Sequence, residues 1–94
     1  MAIRIEIFTS PGCSNCRRAK DELRKLSQEI GADAIHCREV NILDEMDYAV
    51  NLGVLSTPAI AIDGELVFSG LPSRKKLRAE LESRLISKHN GNRL

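Results

Sequence analysis

Phe8-Thr9-Ser10-Pro11-Gly12-Cys13-Ser14-Asn15-Cys16-Arg17-Arg18-Ala19-Lys20 is the stretch on which the reading of this chain turns. Before it, apolar residues alternate with polar ones (Ile3, Ile5, Ile7); after it they recur at intervals of three and four (Ala19, Leu23, Leu26, Ile30). Alternation is the period of a strand, and the wider spacing marks one face of a helix. A strand over 3–8 therefore feeds through a Thr-Ser-Pro-Gly loop into a helix running from about Ser14 to Ile30. Cys13 and Cys16 stand at the first turn of that helix, where backbone N–H groups are unpaired and the helix dipole is positive. Both features favour a thiolate, and the second thiol is close enough to close a disulfide. Such a pair is a two-electron redox switch.

Working outward, Gly31 is placed to stop the first helix, and residues 34–40 (Ala-Ile-His-Cys-Arg-Glu-Val) read as a second strand. Along the outer face of the first helix, Arg17 with Asp21, Arg18 with Glu22 and Asp21 with Lys25 have i,i+4 spacing. Asn41 is expected to cap a short helix through about Leu52, with an acidic first turn (Asp44, Glu45, Asp47) and with Met46, Ala49 and Val50 facing inward. Gly53 ends it. Ala59-Ile60-Ala61-Ile62 is a continuous apolar run, as in a strand buried on both faces. Asp63-Gly64 between that run and Glu65–Phe68 signals a hairpin. Ser73 can cap a last helix whose face carries Leu77, Leu81 and Leu85.

The expected order is β-α-β-α-β-β-α, an α/β chain with a four-stranded mixed sheet and helices on both faces. Its first half is a right-handed βαβ unit with parallel strands. One domain is expected over residues 1–88, followed by a polar tail over 89–94. In such sheets sites lie beyond the carboxyl ends of the parallel strands, and Cys13 follows the first strand directly.

Composition narrows the function classes. At 94 residues there is room for one modest core, and with no Trp, one Tyr and two Phe that core must be aliphatic. Three cysteines are too few, and odd in number, for a disulfide-stapled secreted scaffold. The charged start lacks the apolar run of a signal peptide, and no stretch approaches the ~20 apolar residues of a membrane span. A reducing cytoplasm is the expected location, without a membrane partner. The net charge of +1 conceals segments of +3 (1–28), −7 (29–65) and +5 (66–94). The basic last helix lacks interleaved aromatics to stack on bases, so a solvated face is expected rather than nucleic-acid binding.

The motif from Thr9 through Cys13 and Cys16 to Lys20 resembles the active-site segment of the thioredoxin and glutaredoxin superfamily. Ser56-Thr57-Pro58-Ala59-Ile60 is similar to its cis-proline loop, and Phe68-Ser69-Gly70-Leu71-Pro72-Ser73 to the glycine-bearing segment before the last helix of thioredoxin. The likeness spans about Ile3 to Leu85 and is far more specific than a CxxC alone. It implies a thioredoxin fold and a dithiol/disulfide cycle with Cys13 as nucleophile and Cys16 as resolving thiol. It also implies a substrate platform made by Gly12, Ser56, Thr57, Pro58 and Gly70, with Pro58 cis. Protein disulfides are the implied substrates and an NADPH- or ferredoxin-linked reductase the electron source, with no bound cofactor and a monomeric chain. Ile7 stands where thioredoxins carry a buried acid, Gly12 replaces their Trp, and Ser14-Asn15 is neither Gly-Pro nor Pro-Tyr.

Two alternatives stay open at this point. One is a glutathione-dependent glutaredoxin, disfavoured because the segment 69–73 has no acid. The other is a non-catalytic module that carries a metal or acts as an adaptor. Zinc needs four ligands. Beyond the dithiol only His36, Cys37 and His89 are candidates, and neighbours on a strand point to opposite faces. No metal is therefore expected. Cys37 is expected to be a small, semi-buried strand residue, and His36 to face solvent.

Overall fold

The computed structural model describes residues 3–31 and 34–91. Its elements are β1 (Ile3–Thr9), α1 (Ser14–Ile30), β2 (Ile35–Asn41), α2 (Met46–Leu52), β3 (Ala59–Ile62), β4 (Glu65–Ser69) and α3 (Arg74–Gly91). The sheet order is β2-β1-β3-β4, with β1 parallel to β2 and the other neighbours antiparallel. This is the expected thioredoxin-fold arrangement.

Strand parity divides the core in two. Ile3, Ile5 and Ile7 point to one face together with Ile35, Ile60 and Ile62. There they meet Ala19, Leu23 and Leu26 of α1 and Leu77 and Leu81 of α3. Phe8 and Val40 point to the other face, where α2 covers them with Ala49. β3 presents isoleucines to the two long helices and alanines to α2, and all four of its residues are buried. The small alanines let the short helix come close, and Phe8 fills the space beside them.

Local chemistry ends the elements where turn residues stand. Gly31 caps α1, its N–H bonding the Ser27 carbonyl at 2.9 Å. Asp63 and Gly64, both at positive φ, make the β3–β4 turn with the right-handed twist a hairpin needs. Ser73 Oγ accepts from the Lys76 amide at 3.2 Å and so caps α3.

Five expectations are corrected. Asn41 does not cap α2. Its side chain accepts from the Leu43 amide at 2.9 Å and its carbonyl from Asp44 and Glu45, making a separate turn, so the helix starts only at Met46. That later start changes which face is buried. Ala49 is buried, but Met46 and Val50 are exposed, and Tyr48 and Leu52 pack inward instead. The Tyr48 ring lies 5.9 Å from that of Phe8, and its hydroxyl donates to Glu6, which holds the phenol above its ordinary pKa. Helix α3 continues to Gly91, so the first residues read as tail are helical, and 92–94 lie outside the described residues. Cys37, finally, is an exposed residue of edge strand β2 rather than a semi-buried one, although its thiol loses enough solvent for burial to push its pKa up.

The i,i+4 pairs expected along α1 are not formed among the described residues. Its charges instead reach other elements: Lys20 to Glu39 at 3.2 Å, and Glu29 to Arg74 and to Arg78, the latter at 2.7 Å. These bridges tie α1 to β2 and α3, in place of the local stabilisation expected from the spacing.

Candidate functional site

Backbone geometry builds the site before any side chain enters it. β1 ends at Thr9, and Ser10-Pro11-Gly12-Cys13 folds into a turn closed by Cys13 N–H to Ser10 O at 3.3 Å. Proline at the second position and a glycine at φ 79° in the third make this a type II arrangement. A Cβ on Gly12 would meet no atom within 4 Å, so it is the positive φ, not lack of space, that favours glycine there.

The turn delivers Cys13 to the N-cap of α1, where its side chain makes no capping hydrogen bond. Cys16, in the first helical turn, is joined to it by a disulfide with Cα atoms 5.4 Å apart. The two sulfurs differ in access. Cys13 is partly exposed, whereas Cys16 is 5% exposed and packs with the inward face of α1. In the reduced form, free helix N–H groups and the dipole favour a thiolate at such an N-terminal position. Arg17 and Arg18 are exposed on the next turn.

The second wall comes from the loop before β3. The Thr57–Pro58 peptide is cis. Thr57 Oγ1 lies 2.6 Å from Ser10 Oγ, which fastens this loop to the dithiol turn. Pro58 is buried, and its carbonyl accepts from Gly70 N–H at 2.7 Å, so the start of the α3 connection joins the same surface. Gly70 has φ 105°, a conformation that side-chain-bearing residues rarely adopt. Ser10, Pro11, Gly12, Cys13, Ser14, Asn15 and Thr57 line a shallow cavity of about 260 Å³. A larger hollow of about 350 Å³, lined by Arg4, Glu6, His36, Arg38 and Tyr48, opens over the β1–β2 pair and does not include either sulfur of the disulfide. Of the residues singled out from the sequence, Gly12, Cys13, Cys16, Thr57, Pro58 and Gly70 converge. Ser56 is exposed beside them.

Sequence reasoning missed a polar clasp behind the dithiol. Thr9, buried at the end of β1, donates to Glu39 Oε2 at 3.0 Å, and Lys20 Nζ donates to Glu39 Oε1 at 3.2 Å. Lys20 and Thr9 together hold the Glu39 carboxyl below the usual carboxylate range. Glu39 is in register with Ile7 on the neighbouring strand, so both side chains project to the α1 face. Strand parity was the available signal, but the pairing needed the β1–β2 register. His36 and Cys37 do point to opposite faces, their strand partners being Arg4 and Ile5. The side chain of His89 lies outside those described. Among the described residues no group of three or more His, Cys, Asp or Glu side chains is arranged to hold a metal. Nor is any described helix long and apolar enough to cross a membrane.

Residues 2–82 match the thioredoxin domain family. The chain belongs to that family. It is 38% identical to a probable thioredoxin of Methanothermobacter thermautotrophicus over 77 residues, covering 82% of this chain and 89% of the relative. It is 31% identical to a thioredoxin of Methanocaldococcus jannaschii over 83 residues, covering 88% of this chain and 96% of the relative. A mutant thioredoxin of Halobacterium salinarum superposes with a TM-score of 0.72 at 20% identity, over 86% of this chain and 73% of that one, a likeness of fold. Together with the Cys13–Cys16 dithiol, the family makes this chain a protein-disulfide oxidoreductase of thioredoxin rather than glutaredoxin type. Thioredoxins act on protein disulfides and are in turn reduced by a thioredoxin reductase.

Proposed function

We propose that this chain reduces disulfides of other proteins with Cys13 as the attacking thiolate and Cys16 as the resolving thiol. Cys13 Sγ attacks one sulfur of the partner's disulfide. That bond breaks, the released partner sulfur takes up a proton, and a Cys13–partner mixed disulfide remains. Cys16, deprotonated, then attacks Cys13 Sγ and expels the second partner thiolate. Two electrons pass to the partner, and the chain is left with the Cys13–Cys16 disulfide. A reductase-class dithiol donor returns it to the reduced form.

The observation that carries this assignment is the asymmetry of access: Cys13 is partly exposed at a helix N-cap and Cys16 buried one turn deeper. An incoming disulfide meets the first sulfur, and only the second is sheltered for an intramolecular attack. Ser56, Thr57 and Pro58, with Gly12 and Gly70, form the platform on which an extended segment of the partner rests. The cis Pro58 leaves no N–H of its own, and Thr57 offers its backbone groups to that segment. Glutathione is not the reductant in this reading, since segment 69–73 holds no acid to bind it. The chain acts as a monomer in the cytoplasm, with 1–88 as its functional domain. The cysteine content, too low and odd in number for a disulfide-stapled secreted scaffold, supports that location.

Insulin-disulfide reduction tests the roles. Cys13→Ser is expected to fall to the uncatalysed rate, while Cys16→Ser should accumulate a mixed disulfide detectable by intact mass. Reduction that survives Cys13→Ser overturns the assignment.

A further inference from the structure

On the side of the sheet that α2 covers, β1 and β2 present three cross-strand pairs: Arg4 beside His36, Glu6 beside Arg38, and Phe8 beside Val40. Helix α2 has seven residues, and its buried Ala49 packs with the last pair. The other two pairs are polar, and Arg4, His36 and Arg38 are exposed. Together with Tyr48 they line the hollow of about 350 Å³ over the β1–β2 pair. That volume falls in the range of small-molecule sites, roughly 300–1,000 Å³. Disulfide exchange makes no use of it.

The hydrogen-bonding inventory of the hollow specifies its ligand. Glu6 is the one carboxylate in the lining, and both of its oxygens are engaged: Oε1 accepts from the Tyr48 hydroxyl and Oε2 from Arg38 at 2.7 Å. Arg38 also reaches Glu45 at 3.3 Å, so its charge is balanced within the protein. The Arg4 guanidinium and the His36 imidazole make no hydrogen bond or ion pair to another described side chain. Asp63 takes only the backbone N–H of Arg4, at 2.9 Å, and stands outside the lining. Neighbouring strands lie about 4.8 Å apart, so Arg4 and His36 stand side by side with donors to offer. A guanidinium has no acceptor, and its planar fork matches an oxyanion. Charge decides which oxyanion. With Arg38 balanced by Glu6 and His36 counted as neutral, Arg4 leaves one positive charge among the lining residues. A singly charged carboxylate cancels it, whereas a doubly charged phosphate would leave an excess. The hollow is larger than a carboxylate group alone, and the half-buried Tyr48 ring offers a wall for an attached organic body.

We propose that this hollow binds a small organic monocarboxylate. Arg4 takes the carboxylate in its fork, and His36 donates a second contact from the neighbouring strand. Tyr48, fixed by Glu6 and by its packing on Phe8, flanks the organic body. Neither Cys13 nor Cys16 lines the hollow, so this is a ligand site separate from disulfide exchange and does not depend on the roles assigned to those cysteines.

An NMR titration of the full chain tests this, with sodium chloride holding the ionic strength constant. The probes are benzoate, its uncharged counterpart benzamide, and inorganic phosphate. Benzoate is expected to saturate and to shift the amides of Arg4, Glu6, His36, Arg38 and Tyr48, leaving those of Ser14 and Asn15 beside the dithiol unmoved. It should bind about tenfold tighter than benzamide, the difference that one charge-assisted contact makes. Arg4→Gln should remove about tenfold of the benzoate affinity, and Arg4→Lys should restore only part of it, because an ammonium lacks the planar fork. Both substitutions are at an exposed position, and circular dichroism checks that the variants are folded. The comparison of benzoate with benzamide needs no variant at all. Absence of benzoate binding, equal affinity for benzamide, tighter binding of phosphate, shifts confined to another surface, or affinity unmoved by Arg4→Gln would each overturn the proposal.

Discussion

Helices α1 and α2 cover opposite faces of one sheet and are held there in different ways. α1 has 17 residues and buries Cys16, Ala19, Leu23 and Leu26, a continuous stripe of its own. α2 has seven residues and buries only Ala49 fully. The short helix is oriented by what the sheet offers it: Phe8 under Tyr48, Glu6 for the tyrosine hydroxyl, and the alanines of β3 beneath Ala49. A long amphipathic helix chooses its buried face by summing many apolar contacts, whereas a two-turn helix has too few to outvote a single well-placed ring. Its remaining apolar residues, Met46 and Val50, are then free to face outward.

The sharpest way to break this contrast is to delete one apolar side chain from each helix. Leu26→Ala should cost roughly 2–5 kcal/mol of unfolding free energy, because the side chain is fully buried between sheet and helix. Met46→Ala should stay within about 0.5 kcal/mol, as exposed positions do. Urea titration of both variants decides it, and equal losses would mean that α2 is packed like α1.

A smaller effect probes the pin itself. Tyr48→Phe keeps the ring against Phe8 and removes the hydroxyl that donates to Glu6, with an expected loss of about 1 kcal/mol. Gly12→Ala addresses the turn that feeds α1. Forcing a side chain to φ 79° should cost about 1 kcal/mol, read as a lowered thermal midpoint with the disulfide intact.

The smallest effect concerns the clasp between α1 and β2. Lys20 and Thr9 lower the Glu39 carboxyl, so their contribution exists only while it is ionised. It is complete above the ordinary carboxylate range and disappears as pH falls through the lowered folded value. Glu39 is about half exposed, which limits the effect to about 0.2–1 kcal/mol. Glu39→Gln should therefore be slightly less stable than the parent at neutral pH, and the two denaturation curves should converge in acid. A gap that widens as pH falls would contradict this.

How far the sequence could be read follows from the same physics. The alternation of Ile3, Ile5 and Ile7, the spacing of Ala19, Leu23 and Leu26, the all-apolar β3 and the Asp63-Gly64 turn are local patterns, and each was legible because backbone period or turn chemistry sets it. The dithiol at a helix N-terminus and the cis Thr57–Pro58 bond were legible through motif resemblance. Three features were not. The outward turn of Met46 and Val50 depends on Phe8, about 40 residues away, and on Asn41 spending its side chain on a preceding turn. The Thr9–Glu39–Lys20 clasp depends on the parallel register of β1 and β2. The exposure of Cys37 depends on β2 being the sheet edge.

By itself, then, the sequence determined the order of elements, the redox pair and the face that α1 buries, because these rest on periods and spacings within a few residues. Tertiary structure alone decided which side of α2 meets solvent and how the loop before β3 is fastened to the dithiol turn. Those outcomes turn on contacts between distant segments, and a seven-residue helix has too little apolar surface of its own to settle them.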